Sequence, residues 1–223
     1  MVSRQDVQQA AVRLFAEKGF AATGIRELAS VLGINSGTLY HHAGGGKPEL
    51  LSTIMRECLT ALLQGGEEAV AVSADPARQL AVLTAAHVGF SAVNPLTAQV
   101  TDQEVRSLDV STRTQLVAMR DAYESLFADV LDRGARSGIF ELPDVRVTRL
   151  ALLEMCNGVA HWYRPDGRLS CVEVQERFVE FAGRLVGCDL LARLQAPFPE
   201  PVRLAIEPVT DTRFARSTKE IPV

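Results

Sequence analysis

The sequence predicts an all-α protein: an N-terminal three-helix helix-turn-helix domain followed by a larger helical C-terminal domain. Three observations predict it. Apolar residues recur at i, i+3, i+4 and i+7 along most of the 223 residues. No pair of segments alternates with the period of a strand, and no internal repeat is present. Glycine, proline and short capping residues stand where helices of ordinary length would start and stop. With 47% hydrophobic residues the chain can bury a core, and its length suits one small and one larger domain.

Residues 3–18 read as the first helix, with Val7, Ala11, Leu14 and Phe15 at i, i+4, i+7 and i+8 and Gly19 as its stop. Residues 25–32 read as the second, because Ile25, Leu28, Ala29 and Leu32 share one face. Gly33 then supplies a left-handed residue, Ile34 plugs the turn, and the Asn35 side chain can accept from a free N–H of the next helix. That third helix, residues 36–42, has Leu39 as its one plainly apolar residue among Ser36, Gly37, Thr38, Tyr40, His41 and His42. Core burial cannot hold most of such a surface, so its exposed face is open to another use. In a helix-turn-helix that use is the major groove of DNA; an αα-hairpin with no such role is the alternative. The three helices would close around Leu14, Phe15, Leu28, Leu32 and Leu39.

Helical period continues. A linking helix starts at Pro48, with Leu51, Ile54, Met55, Cys58, Leu59 and Leu62 inward, and is weakened at Gly65 and Gly66. Asp75 and Pro76 open a helix running to about Val93, closed by Asn94 and Pro95. A short helix from about Leu96 to Leu108 and a long one from about Ser111 to Arg136 follow. Asp144 can cap residues 145–163, and Ser170 with Glu173 forms a capping box for a last helix ending at Gly187. These last two helices carry apolar residues beyond one face: Val147, Leu150, Ala151, Leu153 and Met155, then Val174, Phe178, Phe181, Ala182, Leu185 and Val186. One stripe suffices for an intramolecular core, so the surplus predicts a dimer interface of four helices, with Gly158 and Gly183 permitting close approach; a wide buried face is the alternative. Half of the ten prolines fall in residues 197–223, which predicts an extended or disordered Pro-rich tail over 191–223.

Composition narrows the function classes. A net charge of −4 argues against broad nonspecific nucleic-acid binding. Residues 1–50 hold five Lys/Arg and four Asp/Glu, against 18 and 23 in the remainder, so the groove-facing end is only relatively basic. A module so weakly charged needs a second copy to gather phosphate contacts. No apolar run reaches the ~20 residues of a membrane span and the N-terminus has no signal-like stretch, which together point to the cytoplasm. Cys58, Cys156, Cys171 and Cys188 lack metal-ligand spacing and read as reduced packing residues, with a thiol sensor as the alternative. His41 and His42 project about 100° apart on a helix and are poor ligands for one metal. Gly44-Gly45-Gly46-Lys47 resembles the end of a phosphate-binding loop, but its other required positions hold His41 and Pro48. No zinc-protease or nucleophile-elbow motif is present, and no metal or cofactor is expected.

From Phe15-Ala-Glu-Lys-Gly-Phe, through Thr23, Ile25-Arg-Glu-Leu-Ala and Gly33-Ile-Asn-Ser-Gly-Thr-Leu-Tyr-His-His, to Lys47-Pro-Glu-Leu-Leu51, the chain resembles the TetR family of transcriptional repressors. The resemblance covers roughly the first 55 residues. It implies a DNA-binding domain over residues 1–47, an effector-binding and dimerisation domain over 48–190, a homodimer, and release of operator DNA when a small molecule binds. It places the DNA-facing positions on Thr23, Arg26, Ser36, Gly37, Thr38, Tyr40, His41, His42 and Lys47. Ser36 and Thr38 are short groups for base edges and Gly37 lets the backbone approach, while Tyr40, Thr23, His42 and Lys47 suit phosphates. Two departures stand out. Gly24 replaces the usual Ser or Thr, leaving Thr23 to substitute, and the turn after His42 is one residue longer and lacks an aromatic at Ala43.

Polar or aromatic residues among apolar ones, His87, Phe90, Arg120, Tyr123, Phe127, Asn157, His161 and Trp162, are as a set candidates to line a mixed effector pocket, although each taken alone is more often a core or interface residue than a ligand contact. The stretch from Asn157 to Ser170 resembles TetR-family regulators of lipid and steroid catabolism, some of which sense acyl-CoA thioesters; Arg164 or Arg168 would then meet phosphates, with a basic turn between helices as an equal alternative. Two other classes stay open: a protein-binding adaptor with a degenerate helix-turn-helix, and an enzyme using the helical pocket.

Overall fold

The computed structural model describes residues 2–194 and 197–208, and among these residues the chain is all helix, turn and loop, with no strand. The helices are α1 Arg4–Lys18, α2 Ile25–Val31, α3 Ser36–Ala43, α4 Lys47–Ala71, α5 Pro76–Val93, α6 Pro95–Gln103, α7 Val110–Arg136, α8 Val145–Trp162 and α9 Cys171–Leu185. Short 3₁₀ turns lie at Val105–Ser107 and Leu191–Arg193.

Capping chemistry sets most of the starts. Ser3 and Asp6 close a capping box on α1, Ser170 and Glu173 another on α9, and Asn35, Asp75, Asp109 and Asp144 each accept from an early backbone N–H of α3, α5, α7 and α8. Gly33, at φ +66°, lets the Ile34 N–H reach back to the Ala29 carbonyl at 3.0 Å, which ends α2 and aims α3. α4 runs unbroken through Gly65 and Gly66, where the sequence suggested a weak point. The α5 and α6 axes turn by 100° at Asn94-Pro95.

The first core joins the two halves. Val7, Ala11, Leu14 and Phe15 of α1, Leu28 of α2 and Leu39 of α3 pack in one cluster with Leu50, Leu51 and Ile54 of α4, Val100 of α6 and Leu116 of α7. Leu32, expected at the centre of the three-helix bundle, is half-buried at the end of α2. A second cluster joins α5, α7, α8 and α9 through Leu80, Leu83, Phe127, Leu131, Leu152 and Val179.

Residues 197–208 carry no helix, turn at 205–207 where the Glu207 N–H donates to the Leu204 carbonyl at 3.1 Å, and lie against the body. Ile206 is buried in the first core and Glu207 is buried beside α6. The remainder of the predicted tail, residues 195–196 and 209–223, lies outside the described residues.

Candidate nucleic-acid interface and interior polar string

α3 stands on one apolar foot. Leu39 is fully buried, Ala43 is buried beside the turn, and Gly37, Tyr40 and His41 are exposed, with Ser36, Thr38 and His42 half-buried. Asn35 Oδ1 accepts from the Thr38 N–H at 2.9 Å and from the Thr38 hydroxyl at 3.2 Å, so the cap also orients the side chain nearest the helix start. Tyr40 is 51% exposed, its ring resting over Gly46, where a Cβ would come within 3.2 Å of Tyr40 Cε1. Gly44, Gly45 and Gly46 all have positive φ, at +68°, +138° and +116°, so this turn is one that L side chains would strain. The His41 and His42 rings meet edge to face at 5.6 Å. Among the described residues no three His, Cys, Asp or Glu side chains gather as a metal site.

Arg26 is exposed on α2, but two of the residues assigned to phosphates point elsewhere. Thr23 is buried, its hydroxyl donating to the Gly19 carbonyl at 2.9 Å and facing the Leu14 carbonyl at 3.3 Å. It therefore does not substitute for a capping hydroxyl at Gly24, and α2 starts with no side-chain cap. Lys47 reaches inward: its ammonium donates to the Phe20 carbonyl at 2.6 Å and the Thr23 carbonyl at 2.8 Å and stands 4.1 Å over the Phe20 ring. The reason is local, because carbonyls at the end of α1 and the following turn have no helical partners and a cation from α4 satisfies them. From the other side, Glu104 accepts the Phe20 N–H at 2.9 Å. Sequence reading missed this grip because Glu104 lies 84 residues away, with no local signal.

The body holds a polar string. The Tyr123 hydroxyl lies 2.8 Å from His87 Nδ1, and His87 Nε2 lies 2.8 Å from Asn157 Oδ1. The Asn157 oxygen only accepts, so Nε2 carries the proton and Nδ1 accepts from Tyr123. Burial lowers the His87 pKa to about 4 and raises that of the Tyr123 hydroxyl, so both are neutral. Phe127 packs edge-on against both rings, at 6.2 Å from His87 and 5.7 Å from Tyr123, and Phe90 is buried one turn further along α5. One turn before His87, the fully buried Thr84 hydroxyl has no hydrogen-bond partner; the sequence reading overlooked it because threonine in an apolar helix reads as packing.

The other three effector candidates do not join this string. Arg120 is exposed and pairs with Glu124 at 3.7 Å, and Glu124 also faces Arg149 at 3.6 Å. His161 is exposed at the end of α8. Trp162 is half exposed and stacks on Phe178 at 6.0 Å, because its position falls on the outer stripe of α8. Arg164 is exposed and donates to the Tyr163 carbonyl at 2.9 Å, and Arg168 is exposed. Burial holds the Cys58 and Cys156 thiols protonated, with pKa values pushed to about 12, which disfavours the thiolate that a sensor needs.

α8 and α9 carry two apolar stripes. Leu153, Val174, Phe178 and Val186 face the core, while Val147, Leu150, Trp162, Val172, Phe181 and Leu185 stay exposed. Gly158, on the outer stripe, has open space where a side chain would stand; Gly183 is filled by Cys188 and Leu190 of its own chain, and so does not serve a partner.

Two family models match the chain: bacterial regulatory proteins of the tetR family over residues 8–54, and a tetracyclin repressor-like C-terminal domain over residues 73–186. The chain is 31% identical over 179 residues to the HTH-type transcriptional repressor KstR2 of Rhodococcus jostii strain RHA1, covering 79% of this chain and 87% of that protein. The structure of the ketosteroid transcriptional regulator KstR2 of Mycobacterium tuberculosis superposes with a TM-score of 0.74 at 25% identity, over 82% of this chain and 93% of that one. AibR, solved with isovaleryl coenzyme A and operator DNA, shares the fold with a TM-score of 0.72 at 22% identity, over 83% and 99% of the two chains.

Proposed function

The chain belongs to the tetR family of bacterial regulatory proteins, and from that premise we propose that it is a dimeric repressor released from its operator by a largely apolar effector with an anionic end. The observation that carries this reading is the polar, outward face of α3 standing on the buried Leu39. Ser36, Gly37 and Thr38, at the start of α3, face base edges, while Tyr40, His41, His42 and Arg26 surround them toward phosphates. Thr23 and Lys47 belong to the scaffold that sets this face. Residues 1–47 serve as the DNA-binding unit and residues 48–190 as the effector-binding and dimerising body, which share the first core.

A second copy docks through the outer stripe of α8 and α9, where large apolar residues would otherwise meet water. Two recognition helices must then match half-sites about 34 Å apart, one turn of DNA. The effector enters at the polar string. His87, Tyr123 and Asn157 satisfy one another, and the unpartnered Thr84 hydroxyl gains a partner only from an incoming polar group. Arg120 and Arg149 meet at Glu124, the residue after Tyr123 on α7, and the buried Arg149 Nε has no partner, which favours an anionic group such as the phosphates of an acyl-CoA thioester. A protein of this fold accommodates such a ligand in AibR. The body binds without turning over substrate, and the chain works in the cytoplasm, where its DNA is.

The test is fluorescence anisotropy with a duplex spanning the region upstream of the chain's own coding sequence, titrated with a series of acyl-CoA thioesters. Binding that falls steeply with salt and is reversed by one chain length of acyl-CoA supports the reading. Binding unaffected by every thioester would sink the effector class, and no binding would sink the operator assignment.

A further inference from the structure

The segment after α9 lies beyond the residues that the family models match, and it makes more specific contacts than a tail needs. Pro201 packs on Gly89 of α5, where an added Cβ would come within 2.8 Å of Pro201 Cγ. Asn94, at the α5–α6 bend, clamps the segment twice: its Nδ2 donates to the Val202 carbonyl at 2.8 Å and its Oδ1 accepts from the Leu204 N–H at 2.7 Å. Asn94 is thereby unable to cap α6, which has no side-chain cap of its own. Glu207 supplies that cap from 110 residues away, accepting from Leu96 N–H at 3.2 Å, Thr97 N–H at 2.9 Å and the Thr97 hydroxyl at 2.6 Å. The neighbouring Ala205 carbonyl accepts from Gln5 and Gln9 of α1 at 3.0 and 2.7 Å, and Ile206 is buried between them in the first core.

We propose that residues 197–208 form a strap that fixes the DNA-binding bundle on the body, with Glu207 seated on α6 and Ala205 tied to α1, so that operator affinity depends on the strap being seated. The strap touches α1 and α6 at once, and α6 packs against α1, α4 and α8. Burial raises the Glu207 carboxyl above its ordinary pKa, so its seat is favourable only while those three hydrogen bonds are made, and solvation favours the unseated state. A strap that stabilises the closed body, with its polar string intact, opposes any effector that must part α5, α7 and α8. By linkage it then supports the DNA-bound state; this half of the inference rests on the operator reading above.

The experiment uses the full chain and two variants. Glu207→Gln turns an amide toward three donors, and the double variant Gln5→Ala/Gln9→Ala cuts the ties to α1 while leaving the α6 cap intact. Amide hydrogen exchange followed by mass spectrometry is expected to quicken roughly tenfold across α1 in both variants, and at Leu96–Ala98 in Glu207→Gln alone. Affinity for the upstream duplex is expected to fall at least about fivefold in both. Faster exchange confined to α6 would reduce Glu207 to a simple cap and overturn the proposal, as would unchanged affinity in the double variant. Should Glu207→Gln unfold, the double variant decides alone. If wild-type chain fails to bind the duplex, the operator reading falls while α1 exchange still decides the strap.

Discussion

The Lys47 ammonium donates to the Phe20 carbonyl at 2.6 Å while standing 4.1 Å above the ring of the same residue. One side chain at the head of α4 thus holds both the backbone and the aromatic face of the α1–α2 turn, and Glu104 takes the Phe20 N–H from the opposite side. The α1–α2 turn is therefore held from both sides of Phe20, in addition to the apolar packing of the first core. A shift of α4 has a direct path to α3.

Lys47→Met keeps the length of the side chain and removes its donors. Two carbonyls lose a charged partner, so unfolding of the chain in urea, followed by circular dichroism, should show a loss of about 1–3 kcal/mol. DNA affinity should fall with an unchanged salt slope. A slope shallower by about 0.9 would instead place Lys47 on a phosphate.

Tyr40→Phe removes one exposed hydroxyl from α3 and is expected to weaken binding to all duplexes by a similar factor. Thr38→Ala removes the group beside the Asn35 cap, and selection from a random duplex pool should return an altered consensus with it. Unchanged affinity and unchanged consensus in the two variants would overturn the orientation given to α3.

His87 ties stability to pH. Its folded pKa of about 4 lies below the ordinary 6.5, so between these values the unfolded chain takes up a proton that the folded chain refuses. The stabilisation is complete above pH 6.5 and is lost as pH falls toward 4, by up to roughly 3 kcal/mol. Urea midpoints at pH 7 and pH 5 should differ more in the wild type than in His87→Gln.

Adjacent glycines in α4 should respond oppositely. At Gly66 an added Cβ meets Leu126 Cδ1 at 2.6 Å and Tyr123 Cε2 at 2.9 Å, and Tyr123 cannot retreat without leaving His87. Gly66→Ala should therefore destabilise by about 1–2 kcal/mol despite its better helix propensity. Gly65 has open space, and Gly65→Ala should stabilise by about 0.5–1 kcal/mol in the same thermal or urea unfolding.

Phe181→Glu places a charge in the outer stripe of α9. Sedimentation velocity should show a monomer, with the helix content of the wild type retained. A dimer that persists would move the interface away from α8 and α9.

The sequence determined the helices and the polar outward face of α3, because both rest on short-range physics. The period of Leu28 and Leu32, the left-handed Gly33, the Asn35 cap and the isolated Leu39 are all legible within twenty residues. So was the surplus apolar face of the last two helices. Tertiary structure alone decided where the polar side chains of ambiguous positions go. Thr23 and Lys47 turned inward because backbone carbonyls of the turn between α1 and α2 lay within their reach. Trp162 went to the outer stripe while His87 and Asn157, on different helices, met in the core. The strap was illegible for the same reason: prolines announce an extended chain, but a carboxylate capping a helix 110 residues earlier leaves no periodic trace. Local sequence encodes hydrogen bonds between near neighbours; partners distant along the chain are chosen by which buried groups remain unsatisfied once the helices have packed.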